Sequence, residues 1–221
     1  MTRIKICCIQ NIEEAKMAMR YGVSALGLVS AMPSGPGPIP EDRIASIAAA
    51  VPPGVSTFLL TSLQDAASII RQQRRLRSST LQLVDEVSIE ALKELRNGLP
   101  GIKLVQVIHV RNEESVKEAM TVGPHVDGIL LDSGNPSLPV KVLGGTGRTH
   151  DWALSKEIVD RCGKPVFLAG GLRAENVREA IERVGPYAVD VCTGVRTGEG
   201  FLDEEKLSAF MKAVRSLDQT S

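Results

Sequence analysis

Hydrophobic positions in this chain switch between two rhythms. Short runs rich in Val, Ile and Leu alternate with longer stretches in which apolar residues recur every three to four positions. The short runs predict strands over Arg3–Cys8, Ala25–Ser30, Ser56–Thr61, Thr80–Val84, Lys103–Val110, Gly128–Asp132, Pro165–Ala169 and Tyr187–Cys192. Amphipathic helices are predicted near 12–21, 40–50, 63–73, 88–97, 112–121, 151–162, 174–184 and 203–216. Runs such as Val105-Gln106-Val107-Ile108 and Gly128-Ile129-Leu130-Leu131 suit a parallel sheet covered by helices. Asn11 followed by Glu14 reads as a capping box, and Gly22 sits where the first helix should stop.

Eight strand–helix units within 221 residues, with no linker or break in composition, argue for one (β/α)8 barrel spanning residues 1–221. A doubly wound open sheet is the structural alternative. In a barrel, chemistry gathers at the C-terminal ends of the strands and in the loops that follow, so the strand ends become a list of candidate site residues.

The first strand places Lys5 and Cys7 on one face and Ile4, Ile6 and Cys8 on the other. A cation beside a thiol favours the thiolate, although Cys7 also reads as a small buried hydrophobe. The segment Ala31-Met32-Pro33-Ser34-Gly35-Pro36-Gly37-Pro38 is too rich in Gly and Pro for helix or strand. Asp132 ends an apolar strand, where a carboxylate is costly to bury without a task or a partner; capping the next loop is the plainer reading. Alternation puts Gly128, Leu130 and Asp132 on one face, and Ala188, Asp190 and Cys192 on one face of the last strand. Cys7, Asp132 and Asp190 can therefore converge over one pocket. Gly170-Gly171 and Thr193-Gly194 follow the last two strands, where backbone N–H groups can approach a phosphate, or simply make tight turns.

Charge and composition narrow the partners. Lys plus Arg and Asp plus Glu both number 26, so no basic footprint for nucleic acid or an anionic membrane exists. With only one Trp, two Tyr and four Phe, the core must be mostly aliphatic. No apolar run reaches a membrane span, no leader peptide is expected ahead of the first strand, and the four scattered cysteines suit a reducing cytoplasm. Cys162 and Cys192 read as small core residues. His109 and His125 read as structural or exposed, and His150 as an ordinary loop residue. No grouping has metal-ligand spacing, so no metal is expected. Monomer and homodimer are both compatible with the chain.

The ordered set Lys5-Ile6-Cys7, Leu130-Leu131-Asp132-Ser133, Gly144-Gly145-Thr146-Gly147-Arg148-Thr149-His150-Asp151-Trp152, Leu168-Ala169-Gly170-Gly171-Leu172 and Val189-Asp190-Val191-Cys192-Thr193-Gly194-Val195 resembles the phosphoribosylanthranilate isomerases of tryptophan biosynthesis. The resemblance runs from Lys5 to about Phe210. It implies a single-domain (β/α)8 barrel that performs an Amadori rearrangement of a phosphorylated small molecule, aminoaldose to aminoketose, without a cofactor. It further implies Cys7 as general base and Asp132 as general acid. Lys5 and Asp190, with Gly145 and Arg148 of the long loop, become substrate-binding candidates. Gly170, Gly171, Thr193 and Gly194 become phosphate-binding candidates, and the long loop is expected to exclude water.

Three departures accompany the resemblance. The family's Lys-Ile-Cys-Gly is Lys5-Ile6-Cys7-Cys8 here, with Cys8 expected by alternation to face the helices. Gly35-Pro36-Gly37 aligns with the family's Ser-Pro-Arg, whose arginine grips the anthranilate carboxylate. Leu81-Gln82-Leu83-Val84-Asp85 stands where the family usually has Gln-Leu-His-Gly. Two alternatives therefore stand beside the isomerase: a related isomerase of another phosphorylated amino-sugar, and a non-catalytic phosphate-ligand barrel.

Overall fold

The computed structural model describes residues 2–134 and 150–219. Strands β1 (Arg3–Ile6), β2 (Ala25–Val29), β3 (Ser56–Thr61), β4 (Thr80–Leu83), β5 (Lys103–His109), β6 (Gly128–Asp132), β7 (Val166–Leu168) and β8 (Ala188–Val191) pair in chain order and close into a parallel barrel. The β1–β8 ladder completes the closure, with Lys5 opposite Asp190. Helices α1 (Ile12–Arg20), α2 (Glu41–Ala50), α3 (Ala66–Leu76), α4 (Ile89–Gly98), α5 (Glu113–Val122), α6 (Trp152–Arg161), α7 (Val177–Val184) and α8 (Glu204–Arg215) follow their strands in turn. The (β/α)8 expectation holds, and the open doubly wound sheet is excluded by the closed ladder.

Strand alternation divides the apolar residues into two cores. Ile4, Ile6, Leu26, Leu28, Leu59 and Leu81 face outward and pack with the inner faces of the helices. Ala25, Val29, Phe58, Leu60, Val105, Val107 and Phe167 fill the barrel itself. The small inner residues near β1, β2 and β8 leave room for larger polar side chains, and Lys5 takes that room. Its side chain is wholly buried, with its ammonium 5.3 Å from the centre of the Phe58 ring.

Local signals set most boundaries. Asn11 Oδ1 accepts the Glu14 N–H at 2.8 Å, and Gly22 ends the turn after α1 at φ 72°. Glu14 does not complete the reciprocal half of a capping box; its carboxylate accepts the N–H groups of Gln10 and Leu202 instead. Helix α3 begins three residues later than the apolar spacing alone suggests, because Asp65 caps it by accepting the Ser68 N–H.

Candidate active site

The mouth of the barrel, at the C-terminal ends of the strands, holds a pocket. Cys7, Cys8, Asp132, Asp190, Cys192 and the Gly170–Gly171 turn line it, faced by Met32, Ser34, Gly35 and Pro36 from the β2–α2 loop. Thr193 also lines it, while Gly194 sits just outside. Cys7, Asp132 and Asp190 thus converge from three strands as the alternation required.

Lys5 lies beneath the pocket and does not line it. Its Nζ donates to Asp190 Oδ2 at 2.8 Å, with both side chains almost completely buried. Burial alone would lower the Lys5 pKa, but the charges of Asp190 and Cys7 outweigh it and hold the ammonium protonated. Asp190 Oδ1 has no hydrogen-bond partner among the described residues. One carboxylate oxygen is therefore committed to Lys5 and the other is not.

Gly27 makes this arrangement possible. A Cβ at that position would lie 2.8 Å from Cys7 Sγ and 3.1 Å from Lys5 Nζ. The strand must present backbone there, because thiol and ammonium occupy the space of a side chain. A lone glycine inside an otherwise apolar strand was the available sequence signal.

The Cys7 pKa lies below the ordinary thiol value. A hydrogen bond from the Cys8 thiol is the largest cause; burial opposes it, and the Lys5 charge assists. Cys8 itself is pushed well above the ordinary value by hydrogen bonding with Cys192 and Cys7, together with burial. The two neighbouring thiols are therefore shifted in opposite directions.

This corrects the expectation that Cys8 faces the helices. The strand ends at Ile6, and Cys8 adopts a left-handed backbone at φ 63°, which turns its side chain into the barrel mouth. Alternation applies only while the chain remains extended. Cys192, expected as an ordinary core residue, likewise lines the pocket beside Cys8.

Asp132 is pushed above the ordinary carboxyl range by burial, which the Ser133 backbone N–H, donating to Oδ1 at 2.7 Å, partly offsets. Gly170 is its close neighbour. A Cβ there would meet His150 Nδ1 and Ser133 Oγ at 3.1 Å and Asp132 Oδ1 at 3.2 Å. Its φ of 85° also favours glycine. His150 Nε2 bonds Ser155 Oγ at 2.7 Å, and burial lowers the ring's pKa to about 4, leaving it neutral at pH 7. His150 therefore lies beside the Gly170 turn and is held there through Ser155. His109 lies buried beside Asp132 in register, its Nε2 bonded to Val84 O at 3.1 Å.

A second buried ion pair holds the Cys7–Cys8 segment. Arg196, just after β8, donates to the carbonyls of Cys7 and Cys8 and to Gly200 O, and pairs with Glu14 of α1 at 3.3 Å. Neither Arg196 nor Glu14 stood out in the sequence, since a loop arginine does not announce which carbonyls it reaches.

Gly194 cannot carry a side chain: a Cβ would lie 2.1 Å from Leu172 O, so the turn after β8 rests directly on the turn after β7. Gly145 and Arg148, with the rest of the long loop after β6, lie outside the described residues.

A closed (β/α)8 barrel that brings Cys7, Asp132 and Asp190 together in a pocket at the C-terminal ends of its strands has the build of a barrel enzyme. A family model described as N-(5'-phosphoribosyl)anthranilate isomerase matches residues 4–213. An N-(5'-phosphoribosyl)anthranilate isomerase of Methanosarcina mazei is 34% identical over 215 residues, covering 97% of this chain and 94% of that protein. The crystal structure of the Thermotoga maritima phosphoribosylanthranilate isomerase superposes with a TM-score of 0.84 at 30% identity, covering 98% of this chain and 100% of that one. Another, of a phosphoribosylanthranilate isomerase in complex with reduced 1-(o-carboxyphenylamino)-1-deoxyribulose 5-phosphate, gives 0.81 at 28% identity with the same coverage. The chain belongs to the N-(5'-phosphoribosyl)anthranilate isomerase family, and its enzyme class is that of the aldose–ketose isomerases of tryptophan biosynthesis.

Proposed function

We propose that the chain converts N-(5'-phosphoribosyl)anthranilate to the corresponding 1-amino-1-deoxyribulose phosphate, with Asp132 as general acid and Cys7 as general base. The observation that carries this reading is the presence in one pocket of Asp132, whose carboxyl burial shifts toward the protonated form, and Cys7, whose thiol its neighbours shift toward the thiolate. The ligand named for the related barrel, a reduced carboxyphenylamino deoxyribulose phosphate, has the chemistry of such a product.

The division of labour follows from proton bookkeeping. As the bond between C1 and the ring oxygen breaks, the nitrogen lone pair forms a C1–N double bond, and Asp132 gives its proton to the departing oxygen. The Cys7 thiolate then takes the proton from C2, the C1–C2 double bond forms, and the iminium electrons return to nitrogen. Tautomerisation of the enolamine, with a proton added at C1, yields the ketose. Each transfer needs a group shifted toward the protonation state it uses, and burial of Asp132 and the neighbours of Cys7 act in those two directions.

The free Oδ1 of Asp190 suits a hydrogen bond from a sugar hydroxyl, while Lys5 fixes the carboxylate from below. The Gly170–Gly171 turn and the Thr193–Gly194 turn, adjacent on β7 and β8, suit the phosphate. Gly145 and Arg148 remain proposed contacts on the loop side.

A second reading, an isomerase of a phosphoribosyl amine without the carboxylate, is favoured by one feature. No Lys or Arg among the described residues lines the pocket, and Gly37 offers no side chain. The experiment is to supply phosphoribosylanthranilate to the folded protein and follow the loss of its fluorescence. Turnover supports the first reading; no turnover, with conversion of the N-phosphoribosyl aniline instead, supports the second.

A further inference from the structure

Two positions in the pocket wall share one volume. Cys8 is buried and left-handed, in a backbone region that disfavours residues with a Cβ. Its Sγ lies 3.7 Å from the Pro36 carbonyl, within reach of a weak thiol hydrogen bond to the β2–α2 loop. Across from it stands Gly37, at φ 91°, just before the point where the loop rejoins the sheet through Val29 and Pro38. A Cβ on Gly37 would fall 2.6 Å from Cys8 Cβ, 2.9 Å from Cys8 Sγ and 3.2 Å from Cys8 Cα. The first and last of these atoms cannot swing away by a rotamer change.

We propose that Cys8 is a positioning residue for substrate: its inward side chain takes the space that a position-37 side chain would use, and so builds the loop-side wall of the pocket. Positions 8 and 37 are then reciprocal, and at most one of them carries a side chain. Strain retained at a pocket residue is expected where it shapes a site. Here the left-handed turn moves a thiol from the helix side into the mouth, beside Pro36 and Met32. The wall this creates is thioether, thiol and backbone, suited to the flat apolar part of the amine substituent. This inference rests on the pocket being the phosphoribosylanthranilate site.

The test is a double-mutant cycle of wild type, Gly37→Ala, Cys8→Gly and Cys8→Gly/Gly37→Ala, read as KM and kcat for phosphoribosylanthranilate and as unfolding midpoints. Positive φ at position 37 penalises alanine equally in both backgrounds, and loss of the Cys8 thiol changes Cys7 equally in both. The coupling therefore isolates the shared volume. Expected is a roughly tenfold or larger rise in KM for Gly37→Ala in wild type, shrinking to within about threefold in the Cys8→Gly background. The same factor in both backgrounds overturns the proposal, as does a Gly37→Ala chain that fails to fold in either. If wild type itself does not turn over the substrate, the functional reading fails instead. The pair is then judged by the unfolding midpoints, where rescue of Gly37→Ala by Cys8→Gly upholds the shared volume and additivity overturns it.

Discussion

The Lys5 ammonium lies 2.8 Å from Asp190 Oδ2 in the floor of the barrel mouth, and neither group has appreciable contact with water. Removing one partner leaves the other charged and buried. Lys5→Met is therefore expected to cost about 3–5 kcal/mol of stability, and Lys5→Met with Asp190→Leu to recover much of it. Urea unfolding of the single and double variants measures both; equal loss in the two would show that the pairing is not what Lys5 contributes.

The opposite drifts of Cys7 and Asp132 fix the direction of the pH response. With Cys7 as proposed base and Asp132 as proposed acid, activity is expected to rise as Cys7 ionises, below the ordinary thiol value, and to fall as Asp132 loses its proton, above the ordinary carboxyl value. Iodoacetamide alkylation across pH should find a Cys7 midpoint below 9.0, and Cys8→Ala should raise it. An unmoved midpoint would remove Cys8 as the donor.

Asp132 also carries a stability signature. Its folded pKa is raised above the unfolded value, so its protonated form contributes stability that is complete below the unfolded pKa. That contribution is lost as pH rises through the folded pKa. Asp132→Asn is thus expected to be more stable than wild type at pH 7, with the difference shrinking as pH falls toward 3.8, as followed by thermal unfolding.

Gly27→Ala pushes a methyl against Cys7 Sγ and Lys5 Nζ. Overpacking of this kind costs about 1–3 kcal/mol. Displacement of the base by a fraction of an ångström to an ångström is expected to lower kcat by about 10²-fold. Circular dichroism together with steady-state rates separates the two, and an active, destabilised Gly27→Ala would show that Cys7 has room to move.

Arg196→Ala strips the Cys7 and Cys8 carbonyls of their donor and leaves Glu14 buried without its cation. A loss of about 3–5 kcal/mol is expected. Arg196→Ala/Glu14→Gln should be more stable than Arg196→Ala alone, because the uncompensated charge is gone. Urea midpoints decide it.

Much of this was legible in the chain. The change of rhythm between strands and helices located all eight units, and alternation brought Cys7, Asp132 and Asp190 to one pocket. It failed at Cys8, where a left-handed residue ended the strand that alternation assumed would continue. Gly27 was readable in principle, as a glycine that interrupts an apolar strand. The Arg196–Glu14 clamp was not, because it joins residues 182 apart through side chains whose direction only the folded backbone defines. Asp65 moved the start of α3 for a similar reason: a cap outranks the first apolar residue in the spacing.

The most direct measurement is the steady-state turnover of phosphoribosylanthranilate by wild type, Cys7→Ala and Asp132→Asn, with folding checked for each. The account predicts that either change lowers kcat by about 10²-fold or more while KM moves little, since each removes a proton transfer and leaves the pocket in place. A folded Cys7→Ala or Asp132→Asn protein that keeps wild-type kcat would contradict it.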